Sequence, residues 1–302
     1  MPKLQNRSYA LNYNNSYWLA NAQTPLTGFP FLKGPQGGEG EQQFNRGNIG
    51  HQQVAERMAA SDGLDASPGF TLDSLKALML SSRVMSAEMA LEDVVLICEA
   101  SAGDPRMTGT MLQACSLLQA WDGRVDTDSV GAHIFTELWR ALTEEYPSAR
   151  GAYFIDDPEF WREDFDPAHP TTTPAGIDTS IAANHDKVLA ALATALERLA
   201  AADVELDVSF GEVQAVQRNE FTIPIHGGWD EMGTFSVIKV RLEEGGYRNV
   251  TGGNTYIQAV TWDESDCPIA DTMLSHSQST DPASPWYLDQ TLLYSDKVWV
   301  RM

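Results

Sequence analysis

Hydrophobic and polar positions change rhythm several times along the chain. Over residues 1–65 the apolar positions follow no period and are punctuated by Asn, Gln, Gly and Pro, so the segment is expected to be mostly irregular. Within it, the run LKGPQGGEGEQQ at 32–43 reads as a flexible loop. Residues 66–147 switch to helical spacing, with Leu72, Leu75 and Met79 on one stripe and Met111, Cys115 and Leu118 on another. Such stripes are read as core and not as an acyl pocket. A Pro, Asp and Thr-rich connection then covers 148–180, where prolines remove donors and fix φ, so no long helix is expected and the segment should wrap the surface. Asp178 or Ser180 is expected to cap a helix whose Val188, Leu189, Leu192, Leu196 and Leu199 fall on one side and cover a sheet. After Val204 short β-rich runs alternate with Gly, Asn and Asp turns: FTIPIHGG, GTFSVIKVRL, NTYIQAVTW, PIADTMLS and KVWV. Residues 181–302 therefore read as one helix followed by mainly antiparallel strands. The fold class is α+β, and no internal repeat is present.

Composition narrows the function classes. With 302 residues and 43% hydrophobic content the chain can bury a sizeable core. No apolar run approaches the roughly 20 residues of a membrane-spanning helix, and the opening MPKLQNRSYA carries no signal-peptide core. A net charge of −22 repels phosphate backbones and anionic lipid surfaces, so neither nucleic acid nor membrane is expected as a partner. The charge is read as a well-solvated surface. Of three cysteines none forms a C-x-x-C pair. Cys98 and Cys115 fall at the end of one expected helix and inside the next, which leaves two readings open: a single disulfide, or two buried thiols.

The familiar catalytic fingerprints are missing: no G-x-S-x-G elbow, no P-loop, no H-E-x-x-H and no dinucleotide glycine motif. Six histidines are scattered without metal-ligand spacing, and His185-Asp186 on an amphipathic helix reads as a solvated pair. The oddest segment is ALNYNNSYWLAN, where Asn12, Asn14, Asn15 and Asn21 crowd around Tyr13, Tyr17 and Trp18. Asparagine forms helices and strands poorly, so this density signals turn chemistry or amide donors held for a purpose.

Four segments in order, NYNNSYWLAN with TPLTGFP, LLQAWDGRVDTDSVGAHIFTELW, IPIHGGWDEMGTFSVI and SHSQSTDPASPWYLDQTLLYSDKVWV, resemble the β-subunit of the penicillin acylase family, in its acyl-homoserine lactone and aculeacin acylase branch. The resemblance runs from about residue 9 to 299. It implies part of a four-layer αββα N-terminal nucleophile hydrolase and hydrolysis of a secondary amide, with fatty acyl chains on a homoserine lactone or a cyclic lipopeptide as substrates. No metal or organic cofactor is implied for this chemistry. Asn14 matches the family's oxyanion-hole asparagine, and Arg46 in FNRGNIG matches an arginine that braces the site, the other reading being a surface arginine after a glycine loop. Asn12 and Asn15 are expected to shape the turn. The closing DPASPWYLDQ run, with His276, Gln278, Ser279, Asp289 and Gln290 nearby, is read as a fold signature and not as catalytic machinery.

The family's nucleophile is an N-terminal serine whose own amine acts as base, and it has no counterpart in this chain, which opens on Met1 and Pro2. The implied partners are therefore an α-subunit and the N-terminal part of the β-subunit from the same precursor, together with a small acyl amide substrate. Relatives are exported, so a periplasmic or secreted location is implied, although the chain carries no signal of its own. The reading we favour is a portion of a longer coding sequence; the rival is a non-catalytic remnant or partner-binding module. On the favoured reading, a face meant for missing strands should be apolar and the isolated chain should aggregate.

Overall fold

The computed structural model describes residues 2–5, 8–29, 38–145, 147–148, 151–157, 159–250 and 252–302. Part of the loop expected at 32–43 therefore lies outside the described residues, as do position 146 and positions 149–150 and 158 of the connection.

The Asn-rich segment folds as a closed loop. Leu11 N–H bonds Ala20 C=O, Leu26 N–H bonds Trp18 C=O, and a 3-10 turn at Tyr17–Leu19 buries Trp18 and Leu19. Asn21, without exposure, donates to Ser8 Oγ and Tyr9 C=O and accepts from Gln23 and Thr24 N–H. The described part of the first 65 residues is irregular as expected, apart from that 3-10 turn and α1 (Asn45–Met58), a 14-residue helix. Its start contains Asn45, Gly47, Asn48 and Gly50, all poor helix formers, and tertiary packing overrides their propensity. A Cβ at Gly47 would overlap the Asn15 amide, and one at Gly50 would overlap the Tyr13 ring, so the two glycines make the groove in which Tyr13–Asn15 lies.

The stripe Met111, Cys115 and Leu118 is buried as expected, whereas in the helix at 72–79 the buried positions are Ser74 and Leu78, and Leu72, Leu75 and Met79 are only half-buried. α2 (Leu72–Met79) opens on a capping box in which Thr71 Oγ1 accepts from Ser74 N–H and Ser74 Oγ accepts from Thr71 N–H. α3 (Met85–Ala100) and α4 (Gly109–Ala120) are joined by a disulfide between Cys98 and Cys115, which decides between the two cysteine readings. α5 (Ala132–Glu145) is the central helix; Ile134, Phe135, Leu138 and Leu142 are fully buried, and Trp121, Phe135, Trp139 and Trp161 form an aromatic row beside it.

The connection holds no helix among its described residues. It forms two short antiparallel ladders, β1 (Pro147–Ser148) with β2 (Gly151–Ile155) and β3 (Trp161–Glu163) with β4 (Ala175–Ile177). α6 (Ala182–Ala201) then buries Val188, Leu189, Leu192, Leu196 and Leu199, each contributing about 1.5–3 kcal/mol. Two expectations about it need correction. Its N-cap is Ile181 with no side-chain cap; Asp178 spends its carboxylate on Ser180 N–H and Oγ, and Asn184 Nδ2 ties the first turn to Glu159 and Asp178 C=O. The apolar side of α6 covers α5, not a sheet, because its leucine stripe fits the ridges of another helix.

A short α7 (Phe210–Val213) leads into the strands. β5 (Ala215–Arg218) pairs with β6 (Phe221–Pro224), and β7 (Ile238–Lys239) with β8 (Gly252–Gly253). β9 (Tyr256–Trp262) and β10 (Pro268–Leu274) form a long hairpin; α8 (Asp289–Ser295) intervenes, and β11 (Val300–Arg301) returns to β10, giving the order β11-β10-β9. The C-terminal region is thus several small antiparallel ladders and one three-stranded sheet, not one continuous sheet. The architecture is mixed α+β.

One loop is organised around a buried cation. Arg57, without exposure, donates to Asp62 Oδ1 and to the carbonyls of Asp65 and Ser67, drawing residues 61–69 around the end of α1.

Candidate active site

Asn14 sits at the exposed tip of the closed loop with φ of 62°, a left-handed conformation that asparagine tolerates better than most residues. Asn12 Oδ1 accepts from Asn14 N–H at 2.9 Å and makes the turn that lifts it. Asn15 points the other way, its Oδ1 accepting from Phe44 N–H, and so joins the loop to the start of α1. Tyr13 packs edge-on against His51 and Phe235. Burial raises the Tyr13 hydroxyl above its usual range and lowers His51 to about 4, so at neutral pH both are uncharged supports under the loop.

Arg46 is the second residue of α1. Its Nη2 donates to Asn14 Oδ1 at 3.0 Å and to Tyr13 C=O at 3.1 Å, and its Nε donates to Asp230 Oδ1 at 2.6 Å. A guanidinium has only donors, so the asparagine atom facing it must be the carbonyl oxygen. The Asn14 NH₂ is therefore the part turned away from Arg46, on an exposed residue. Asn14 and Arg46, singled out separately in the sequence, are brought together.

Asp230 was missed. It lies in the turn HGGWDEMG, 184 positions from Arg46, and nothing local distinguishes it from a turn aspartate. The turn is held at several points. Asn45 Nδ2 donates to Glu231 C=O; Gly233, at φ of 80°, presses against Asn45 and Met85; and Ser86 N–H bonds Met232 C=O. On its other side the Arg140 guanidinium lies 3.1 Å from the Trp229 ring centroid, while Arg140 Nη1 donates to the fully buried Glu137, which also accepts from Tyr247 Oη at 2.6 Å.

These contacts join distant segments around one outward-facing amide, and comparison with known proteins gives the arrangement a context. The Penicillin amidase family model matches residues 1–302. The chain belongs to the penicillin amidase family. Aculeacin-A acylase of Actinoplanes utahensis is 36% identical over 295 residues, covering 96% of this chain and 34% of its own length. Acyl-homoserine lactone acylase PvdQ of Pseudomonas savastanoi pv. phaseolicola is 29% identical over 304 residues, covering 100% and 36%, and PvdQ of Pseudomonas syringae pv. tomato is 28% identical over 299 residues, covering 99% and 35%. This penicillin amidase-family chain spans about a third of the length of these relatives.

The other sequence candidates fold as structure. His185 Nε2 meets Thr179 C=O and Asp186 pairs with Arg106, so the two do not act on each other. In the closing motif, Ser279 N–H bonds Trp286 C=O, Asp281 Oδ1 accepts from Ala283 N–H, and Ser277 and Thr291 bond each other, forming the turn that leads into α8. Among the described residues no cluster of His, Cys, Asp or Glu could hold a metal ion, and no helix is long and apolar enough to cross a membrane.

Proposed function

We propose that this chain supplies the oxyanion-stabilising part of an acylase that hydrolyses a secondary amide, with the nucleophilic serine carried by polypeptide outside it. The observation that carries this reading is the Arg46 clamp on Asn14 Oδ1, which leaves the side-chain NH₂ as an outward donor. In such a reaction the serine hydroxyl attacks the amide carbonyl while the serine's own amine takes the proton. The carbonyl oxygen gains charge as the tetrahedral intermediate forms, and Asn14 Nδ2 donates to it. Collapse releases the amine as the serine's ammonium passes its proton to the leaving nitrogen, and water then releases the carboxylic acid from the acyl-enzyme. Arg46, anchored by Asp230, prevents the amide from turning its oxygen toward the developing anion.

The relatives named for aculeacin A and for acyl-homoserine lactones support a fatty acyl chain on a lactone or lipopeptide amine as the substrate, with an acylated β-lactam the more distant option. The partners on this reading are an α-subunit and the N-terminal part of a β-subunit, and the complete molecule has four αββα layers. The Cys98–Cys115 disulfide supports an oxidising location, periplasmic or secreted. No cofactor is required.

The test is amine release from a panel of acyl-homoserine lactones, using the chain assembled with a polypeptide that supplies the rest of a family member. Hydrolysis is expected in the assembly, and Asn14→Ala should lower kcat by about 10²–10³-fold, or roughly 3–4 kcal/mol. Full activity in Asn14→Ala removes the asparagine from the mechanism. No activity in any assembly favours the non-catalytic partner-binding reading.

A further inference from the structure

The turn that carries Asp230 is gripped by two arginines on two helices. Toward α1, Asp230 accepts from Arg46, which in turn holds Asn14 Oδ1. Toward α5, the neighbouring Trp229 is half-buried beneath the Arg140 guanidinium, 3.1 Å from the ring centroid. The backbone of the turn is tied at Gly228, whose N–H bonds Ser236 C=O, and at Glu231 and Met232, whose carbonyls accept from Asn45 Nδ2 and Ser86 N–H. Between these ties, Trp229 and Asp230 meet α5 and α1 through their side chains. Arg140 has its own anchor: its Nη1 donates to Glu137 Oε1, one turn earlier on α5, at 3.0 Å. Glu137 has no exposure, accepts from Tyr247 Oη at 2.6 Å and lies 3.6 Å from Arg198 Nη1. A carboxylate enclosed this completely is costly, and apolar residues of similar volume often give an equal or firmer core than a buried ion pair. What the charge supplies is direction, since it sets how the guanidinium plane faces and so where a ring can stack on it. Trp229 Nε1 has no hydrogen-bond partner among the described residues, so the indole is held through its ring face.

Resting on the acylase reading above, we propose that Glu137, Arg140 and Trp229 are positioning residues for the oxyanion donor. Glu137 aims the Arg140 guanidinium, the guanidinium seats the Trp229 ring, and the seated turn holds Asp230 where it orients Arg46 and, through it, Asn14 Nδ2. The three act through Asn14 and not on the substrate. Their contribution is therefore confined to the moment when the carbonyl oxygen gains charge.

Steady-state kinetics on the assembly test this, with Trp229→Leu, Trp229→Phe and Glu137→Gln each made alone and together with Asn14→Ala. Trp229→Leu should lower kcat about tenfold and change KM by less than about twofold. Trp229→Phe keeps a ring face and loses no hydrogen bond, so it should retain at least about half of kcat. With Asn14→Ala already in place there is no donor left to aim, and Trp229→Leu should then cost less than about twofold. Glu137→Gln preserves volume and an acceptor for Tyr247 and should repeat this pattern with a fall of about threefold or more; it decides the matter if Trp229→Leu does not assemble. Wild-type kcat in both Trp229→Leu and Glu137→Gln, a loss of equal size with and without Asn14, or a loss that lies chiefly in KM overturns the inference and leaves the acylase reading in place. Full activity in Asn14→Ala, or no hydrolysis in any assembly, sinks that reading and the inference with it.

Discussion

Asn14 is presented by its neighbours more than by its own backbone. Its Oδ1 is held by Arg46, and Arg46 is in turn held by Asp230, so the last link reaches 184 residues along the chain. The Nε–carboxylate bond is charge-assisted and fixes the plane of the guanidinium. On the proposed acylase reading, Asp230→Asn should therefore lower kcat in the assembly by about tenfold with little change in KM. Arg46→Lys should do no better, because a single ammonium cannot serve Asp230 and Asn14 with a fixed fork. Steady-state kinetics on both variants checks this; wild-type kcat in Asp230→Asn would make the ion pair merely structural. The asparagine and the arginine were legible through motifs that resemble a family. Asp230 was not, since its significance lies only in a partner that folding brings to it.

At the level of elements, periodicity revealed the helices whose apolar stripes face the core and the strands with clean alternation. It failed at α1, whose start reads as a loop by composition. The reason is physical: Gly47 and Gly50 are there to admit Asn15 and Tyr13, and the helix is held by that packing rather than by propensity. Gly50→Ala tests the point. Alanine is ordinarily the better helix former by up to about 1 kcal/mol, yet here its methyl group meets the Tyr13 ring, so the expected change is a net loss of about 1–3 kcal/mol. Urea unfolding measures it, and a gain in stability would show that Tyr13 does not need the groove. The cap and the covering partner of α6 were also misread, because neither the diversion of Asp178 to Ser180 nor the choice of α5 over a sheet leaves a local trace.

The whole molecule contains three buried histidines whose neutrality is part of its stability. Burial holds His51, His133 and His226 down to about 4. A depressed histidine contributes stability that is complete above its unfolded value near 6.5 and is lost as pH falls from there toward 4. Each is worth on the order of 3 kcal/mol over that window, with His226 also meeting repulsion from Lys297. Urea unfolding free energy should thus be nearly level from pH 8 to 7 and decline steeply between 6.5 and 4. A profile flat down to pH 4.5 would show that these rings are already solvated. Charge and composition gave no hint of this window, which depends on which histidines folding encloses.

Arg57 has a further consequence for how the molecule tolerates its surroundings. In acidic loops of this kind a divalent ion commonly gathers the carboxylate and the carbonyls, and the loop then loosens whenever the ion is diluted or sequestered. Here the gathering charge is a side chain of α1, bonded to Asp62 and to the carbonyls of Asp65 and Ser67. Being covalently tethered, it cannot be washed out, exchanged or chelated. The order of residues 61–69 thus rests on a group that the chain itself supplies.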